Sequence, residues 1–129
     1  MSDLDATFGP GTSARLRDVA RLCARAELLA ARGREWYDSD PELEVPKLAA
    51  GSLVLKLGVA VRRLPAAFLD ERRGDPVWRR AIGMRHRLAH DDDAVDDDLV
   101  WGVVATHAAT LRARVESLLD NVWSVRNLP

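Results

Sequence analysis

The sequence predicts an all-α protein, folded as an up-and-down four-helix bundle with one extra short helix. Of its 129 residues, 47% are hydrophobic and 30% are charged, a balance that argues against both a disordered chain and a membrane protein. Alanine and arginine, two good helix formers, are abundant, whereas β-branched and aromatic residues do not alternate as they do in strands. Apolar residues instead recur at steps of three and four, which is the period of an amphipathic helix.

The predicted domain organisation is a flexible N-terminal arm at residues 1–12 followed by one helical domain at residues 13–125. The arm contains two glycines and a proline and shows no helical period.

Cys23 is the only cysteine, which excludes an internal disulfide. Since the chain does not open on a basic and then apolar segment, we expect a cytoplasmic protein without a membrane partner.

The first predicted helix begins near Thr12 or Ser13, either of which is a suitable cap, and ends by Gly33. Its other face carries a row of arginines. The apolar stripe that we expect to face the core consists of Leu16, Val19, Cys23, Ala26 and Ala30.

The second predicted helix, at about residues 41–64, is apolar on more than one face. Between positions 48 and 61 its only charged residue is Lys56, so it is covered either by the bundle on all sides or by the core together with a second subunit. Gly51 and Gly58 would allow another helix to approach, within the chain or from a partner. A short helical fragment is expected at residues 66–74, after Pro65.

The third predicted helix carries the most informative sequence. Asp75 is a good N-cap and Pro76 suits the first helical position. Arg85 falls on the apolar arc of this helix, and a guanidinium there needs either an interior carboxylate or an anionic ligand. His90 follows five residues later, about 140° around an ideal helix. The two side chains therefore meet only if the helix ends at His90 or a second subunit contributes.

An acidic run, DDDAVDDD, follows at residues 91–98. We predict that Asp96 caps a fourth helix and that the next two aspartates lie in its first turn, where the helix dipole favours carboxylates. His107 lies on the apolar stripe of that helix, which favours a core position over a catalytic one. The acidic run would repel a polyanion unless its carboxylates act as caps or pair with Arg79, Arg80 or Arg87.

Several classes of site are excluded by the absence of their motifs. The chain has no glycine-rich phosphate loop, no cysteine pair for zinc and no nucleophile elbow. An EF-hand starting at Asp91 would need glycine at its sixth position and glutamate at its twelfth, where Asp96 and Gly102 stand. A metal site at His86 and His90, which are four residues apart, stays open as an alternative.

The third and fourth helices together resemble the HEPN-domain toxins of the HepT type. The hallmark of that family is an Arg, four to six residues, then a His, within an "I-x-GMRN-x-L-x-H-x-Y…VD…VW" pattern, and a second likeness runs from Leu57 and Gly58 to Leu64. The resemblance covers about residues 45–120. Matching positions, in order, are Ile82, Gly83, Met84, Arg85, Leu88, His90, Val95, Asp96, Val100 and Trp101.

The resemblance implies an HEPN-like fold and a metal-independent endoribonuclease that acts as a homodimer. Arg85 and His90 would form the catalytic pair at a cleft between subunits, with no cofactor. We expect His86, Arg87 and Arg79 to contact the RNA. The implied partner is a nucleotidyltransferase antitoxin, and the alternative is an inactive HEPN-like module that binds a nucleotide or such a partner.

The sequence departs from the family pattern at three positions. His86 replaces the usual Asn, Asp92 replaces the Tyr two places after the His, and Val59 replaces an acidic residue. In such toxins the Tyr is the site at which the antitoxin attaches AMP, a reaction for which an aspartate is no substitute. These departures leave open both an altered mode of inhibition and a loss of activity.

Overall fold

The computed structural model describes residues 3–89 and 96–126, and all regular structure within them is helical. The all-α class is therefore confirmed. In chain order the elements are α1 (Asp3–Phe8), α2 (Thr12–Ala30), α3 (Arg34–Tyr37), α4 (Val45–Arg62), α5 (Ala66–Glu71), α6 (Pro76–Ala89), α7 (Asp97–Gly102), a π-helical turn (Val103–His107) and α8 (Ala108–Arg126).

The core is built around α2, which packs against both α4 and α8. The predicted stripe on α2 is correct from Leu16 to Ala26, since Leu16, Val19 and Cys23 are fully buried. The same core contains buried side chains from the other two helices, such as Val54 of α4 and Leu111 of α8. Burial of this kind contributes about 1.5–3 kcal/mol for each large aliphatic side chain.

One half-buried ion pair ties α2 to α8 beside the apolar contact. Arg112 donates from Nη2 to Oε1 of Glu27 at 2.9 Å, and its Nε donates to the other carboxylate oxygen. Glu116, one turn further along α8, accepts from Nη1 at 3.0 Å. The bidentate geometry orients the two helices more strictly than apolar packing does.

The N-terminal segment differs from the predicted flexible arm. Residues 3–8 form α1, in which Leu4 is buried, and the Asp5 carboxylate accepts a hydrogen bond from the Ser13 backbone N–H at 2.8 Å. The expectation of an unstructured arm is wrong for these residues because tertiary contacts with α2 stabilise a helix too short to persist alone. Gly11, with a φ of 87°, precedes α2 where a serine or threonine cap was predicted.

Helix α4 buries one face against α2 and α6 and exposes the opposite one. Two leucines lie on the exposed side: Leu48 is 65% exposed and Leu55 is 37% exposed. An added Cβ at Gly51 would meet no atom within 4 Å, so no described part of this chain uses the space that the glycine leaves. Among the described helices, none has the length and the apolar character that a membrane span requires.

The last helical stretch contains one turn of π-helix at residues 103–107, which ends on His107. The His107 side chain is buried, as predicted, but its Nε2 has no hydrogen-bond partner among the described residues. Burial, with a smaller contribution from the positive charge of Arg80, lowers the pKa of His107 to about 4. The imidazole is therefore neutral near pH 7.

We predict that His107→Leu stabilises the protein by about 1–3 kcal/mol, because it removes a buried polar atom without a partner. The unfolded chain protonates His107 below about pH 6.5, whereas the native chain does so only near pH 4. The free energy of unfolding of the wild type should thus fall by up to about 1.4 kcal/mol for each unit by which the pH decreases between about 6.5 and about 4.

Urea unfolding at pH 7 and pH 5 measures this difference. Thr106→Leu, at an exposed position in the same π-helical turn, is the control and should keep the wild-type dependence on pH. If His107→Leu loses stability toward pH 5 as steeply as the wild type, His107 is not the buried neutral group.

Candidate functional site

Helix α6 starts as the sequence predicts. The backbone N–H of Val77 donates to Oδ1 of Asp75 at 3.0 Å, which satisfies one of the free donors of the first turn. The face of α6 that turns toward the core carries the buried side chains Trp78, Ala81, Ile82 and Met84. Position 85 follows Trp78 by seven residues, about two turns, and the placement of Arg85 on this face stays a prediction from the sequence.

The structure describes the predicted catalytic and RNA-binding residues to different extents. Arg79 is exposed and makes no ion pair with any described residue. Arg85, His86 and Arg87 lie in the helical backbone of α6, but their side chains are outside what the structure describes. His90 falls outside the described residues altogether. The pairing of Arg85 with His90 therefore stays a prediction.

Helix α7 begins where the acidic run ends, on the predicted cap. Oδ1 of Asp96 accepts hydrogen bonds from the backbone N–H groups of Asp98 at 3.0 Å and Leu99 at 3.1 Å. This cap is a local arrangement that Asp, Asn, Ser and Thr all favour. The structural explanation of Asp96 is thus confirmed, while Asp92 lies outside the described residues.

Two cations from distant parts of the chain compensate the other described carboxylates of the run. Nη2 of Arg34 lies 2.7 Å from Oδ1 of Asp98, and Nζ of Lys47 lies 3.9 Å from Oδ2 of Asp97. Arg34 also donates to Asp38 at 2.9 Å, and this hydrogen bond lowers the pKa of the Asp38 carboxyl. The anticipated pairing with Arg79 or Arg80 is absent from the described residues, because α3 and the start of α4 supply the cations instead.

Tyr37 anchors the same helix start from the side of α3. Its hydroxyl donates to the backbone carbonyl of Asp97 at 2.9 Å, and its ring centroid lies 5.0 Å from that of Trp101. The side chain is only 1% exposed, and burial, followed by the charge of Asp97, raises the pKa of Tyr37 to about 12. We name Arg34, Tyr37 and Lys47 together the α3–α4 anchor.

Sequence reasoning missed the α3–α4 anchor because its members lie about 50 to 64 residues from Asp97 and Asp98, which they contact at the start of α7. The available signal was a tyrosine and a tryptophan within an otherwise polar connection.

The described residues were also compared with the geometry that a metal ion requires. Within the described ranges, no cluster of three or more His, Cys, Asp or Glu side chains has a geometry suited to a metal. The His86 and His90 alternative lies outside those ranges.

In comparison with known protein families, residues 56–118 match the family described as Ribonuclease HepT-like. The matched region begins in the second half of α4 and ends in α8, so it includes all of α6 and α7. Comparison with the curated proteins and with the solved structures gives no match.

Tyr37 is the only tyrosine, so its ionisation is directly measurable by near-ultraviolet absorbance. We predict that the phenol of the native protein titrates at about pH 12, because burial disfavours the phenolate. In denaturant the same phenol should titrate near its ordinary value of about 10. Ionisation near pH 10 with the helical circular dichroism intact would contradict the anchoring role.

Proposed function

Because residues 56–118 belong to the HepT-like ribonuclease family, we propose that this protein is a metal-independent endoribonuclease and the toxin of a toxin–antitoxin pair. The family match is the observation that carries this proposal. It spans α6, on which the Arg85 and His90 motif begins.

The two motif residues have complementary chemistry for RNA cleavage. Internal cleavage requires a base for the ribose 2′-proton, an acid for the leaving 5′-oxygen and positive charge for the phosphorane. An imidazole titrates near neutrality, so His90 would act as the general acid and base. Arg85 would hold the phosphate and stabilise the developing charge. The need for a 2′-hydroxyl would restrict the substrate to RNA.

The outward side of α6 supports an RNA-binding role for Arg79, His86 and Arg87. The exposed Arg79 makes no ion pair among the described residues, and position 86 follows it by two turns on the same face. Gly83 lies between them, and an added Cβ there would meet no atom of the described residues within 4 Å. As far as the described residues go, this surface thus offers a polynucleotide backbone both space and a positive charge that they do not pair.

The α3–α4 anchor reduces the repulsion that part of the acidic run would exert on RNA. Asp98 is paired with Arg34, and Asp97 lies near Lys47. Paired carboxylates repel a polyanion much less than free ones do. The repulsion expected from six aspartates is therefore reduced near the start of α7.

We place the homodimer contact on the outer stripe of α4, formed by the exposed Leu48, Ser52 and Leu55 and the half-buried Val59. These positions share one face of the helix, at steps of three and four. Gly51 borders the stripe with open space beside it. A second copy of α4 would bury the exposed leucines, and a two-fold interface uses the same patch on both subunits.

The proposed antitoxin is a nucleotidyltransferase that neutralises this protein by binding. The family's modifiable Tyr is replaced by Asp92, and Tyr37 is unsuited to accept AMP because its hydroxyl is buried and donates to Asp97. The three departures from the family pattern also favour one competing function, an inactive module that binds a nucleotide or the nucleotidyltransferase.

The ribonuclease proposal predicts that the purified protein cleaves RNA in the presence of a chelator. Arg85→Ala and His90→Ala should each lower the cleavage rate by roughly 100-fold or more, since each removes charge stabilisation or proton transfer. Arg21→Ala is the matched control, because Arg21 is an exposed arginine on α2 that forms an ion pair with Asp18 within the described part of the chain. The readout is the initial rate of cleavage of a labelled RNA.

Each alternative has its own outcome in this experiment. Cleavage that needs a metal and disappears with chelator would favour the His86 and His90 site. Cleavage that persists in both variants would place the active site elsewhere. Binding of RNA or nucleotide without any cleavage would identify the inactive module.

The dimer proposal predicts that Leu48→Glu shifts the protein from a dimer to a monomer of 14.3 kDa, because a carboxylate buried at the contact is costly. Leu28→Glu is the control, since Leu28 is 72% exposed but lies on α2. Light scattering at micromolar concentration gives the mass. A monomeric wild type, or equal dissociation of both variants, would remove α4 as the dimer surface.

A further inference from the structure

A cavity of about 320 Å³ opens at the end of the bundle where α5 and α6 meet α8. This is the end opposite to the α3–α4 anchor, because α6 runs away from Asp75 toward position 89 and α8 runs back toward it. The proposed ribonuclease site does not use this cavity. Its polar lining consists of Glu71, Arg72, Asp75, Arg114 and Ser117, and the ring of Trp78 contributes apolar surface.

Arg72 is the first of two guanidinium groups on the cavity wall. Its side chain is only 18% exposed, and its Cζ lies 3.7 Å from the centroid of the Phe68 ring. Nη1 donates to the Phe68 carbonyl at 3.1 Å, and the nearest carboxylate oxygen, on Glu71, lies 3.6 Å away. A cation that is largely withdrawn from water and incompletely paired favours an anionic neighbour.

Arg114 is the second guanidinium, and it is held in place through only one of its nitrogens. Its Nε donates to Oδ2 of Asp75 at 3.0 Å, and the other oxygen of Asp75 accepts from Val77. Among the described residues, neither Nη of Arg114 has an acceptor within hydrogen-bond distance. Ser117 lies three residues further along α8, on the same face.

The carboxylates at the cavity leave these donors available. Both oxygens of Asp75 are already engaged, by the start of α6 and by Arg114. The side chain of Glu71 is 63% exposed, so solvent screens its charge. The cavity therefore presents two guanidiniums and one hydroxyl to whatever enters it.

We propose that this cavity is a phosphate-binding site, in which Arg72, Arg114 and Ser117 hold the phosphate oxygens. Guanidiniums match the geometry of phosphate oxygens, and hydrogen bonds between charged partners are roughly twice as strong as neutral ones. The phosphate group would come either from a free nucleotide or from the terminus of an RNA chain.

Binding of inorganic phosphate, measured by calorimetry on the full-length protein, tests the site. Arg114→Gln should weaken binding by about tenfold or more, because it removes charge-assisted hydrogen bonds. Asp75→Asn should tighten binding by roughly threefold, because asparagine remains a good N-cap while the competing negative charge is lost. Arg72→Lys, which keeps the charge but loses the planar donor geometry, should also weaken binding.

Arg21→Gln should leave the affinity unchanged, since Arg21 lies on α2 away from the cavity. Titrations with adenosine monophosphate and with a short RNA, with and without a terminal phosphate, distinguish the two sources. Tighter binding of the nucleotide than of the phosphorylated RNA indicates a nucleotide site, and the reverse indicates an RNA terminus.

The opposite effects of Arg114→Gln and Asp75→Asn are the decisive result. If the Arg114–Asp75 ion pair only joins α8 to α6, Arg114→Gln and Asp75→Asn both lower the melting temperature and neither changes the affinity for phosphate. That result would overturn the proposal. The absence of measurable phosphate binding by the wild type would overturn it as well. Neither result bears on RNA cleavage, so this proposal and the ribonuclease proposal fail independently.

Discussion

The contact of α2 with both α4 and α8 is the constraint on which the other elements depend. Leu16 and Val19 exclude water completely from this contact, and the pair between Glu27 and Arg112 fixes its orientation at one edge. Helix α6 in turn packs against α4. The family motif is built into this core, since its residues Ile82, Met84 and Val100 are among the buried side chains.

Sequence reasoning succeeded where the determining interaction is local. The caps at Asp75 and Asp96 were predictable because each satisfies backbone donors two or three residues away. It failed where stability arises from distant contacts. Helix α1 exists through Leu4 and through Asp5, which bonds to Ser13, and neither contact has a periodic signature in the sequence.

In the candidate site, too, the local features were predictable from the sequence and the distant contacts were not. The motif from Arg85 to His90 is recognisable because it is contiguous, and the register of α6 follows from its apolar period. The cations that compensate the acidic run are not recognisable in this way. Arg34 reaches Asp98 across 64 positions of sequence, and such a pairing depends on how the loop before α4 returns past the start of α7. No pattern within a single sequence indicates that Arg34 and Asp98 are close in space.

Cys23 has a practical consequence that follows from its place in the α2 contact. Its side chain is fully buried, and burial raises the pKa of the thiol to about 12, so the reactive thiolate is scarce and inaccessible in the folded state. Because it is the only cysteine, a thiol reagent modifies the protein only when the helices separate. The rate of labelling is therefore a measure of how often the bundle opens, obtained without introducing a labelling site by mutation.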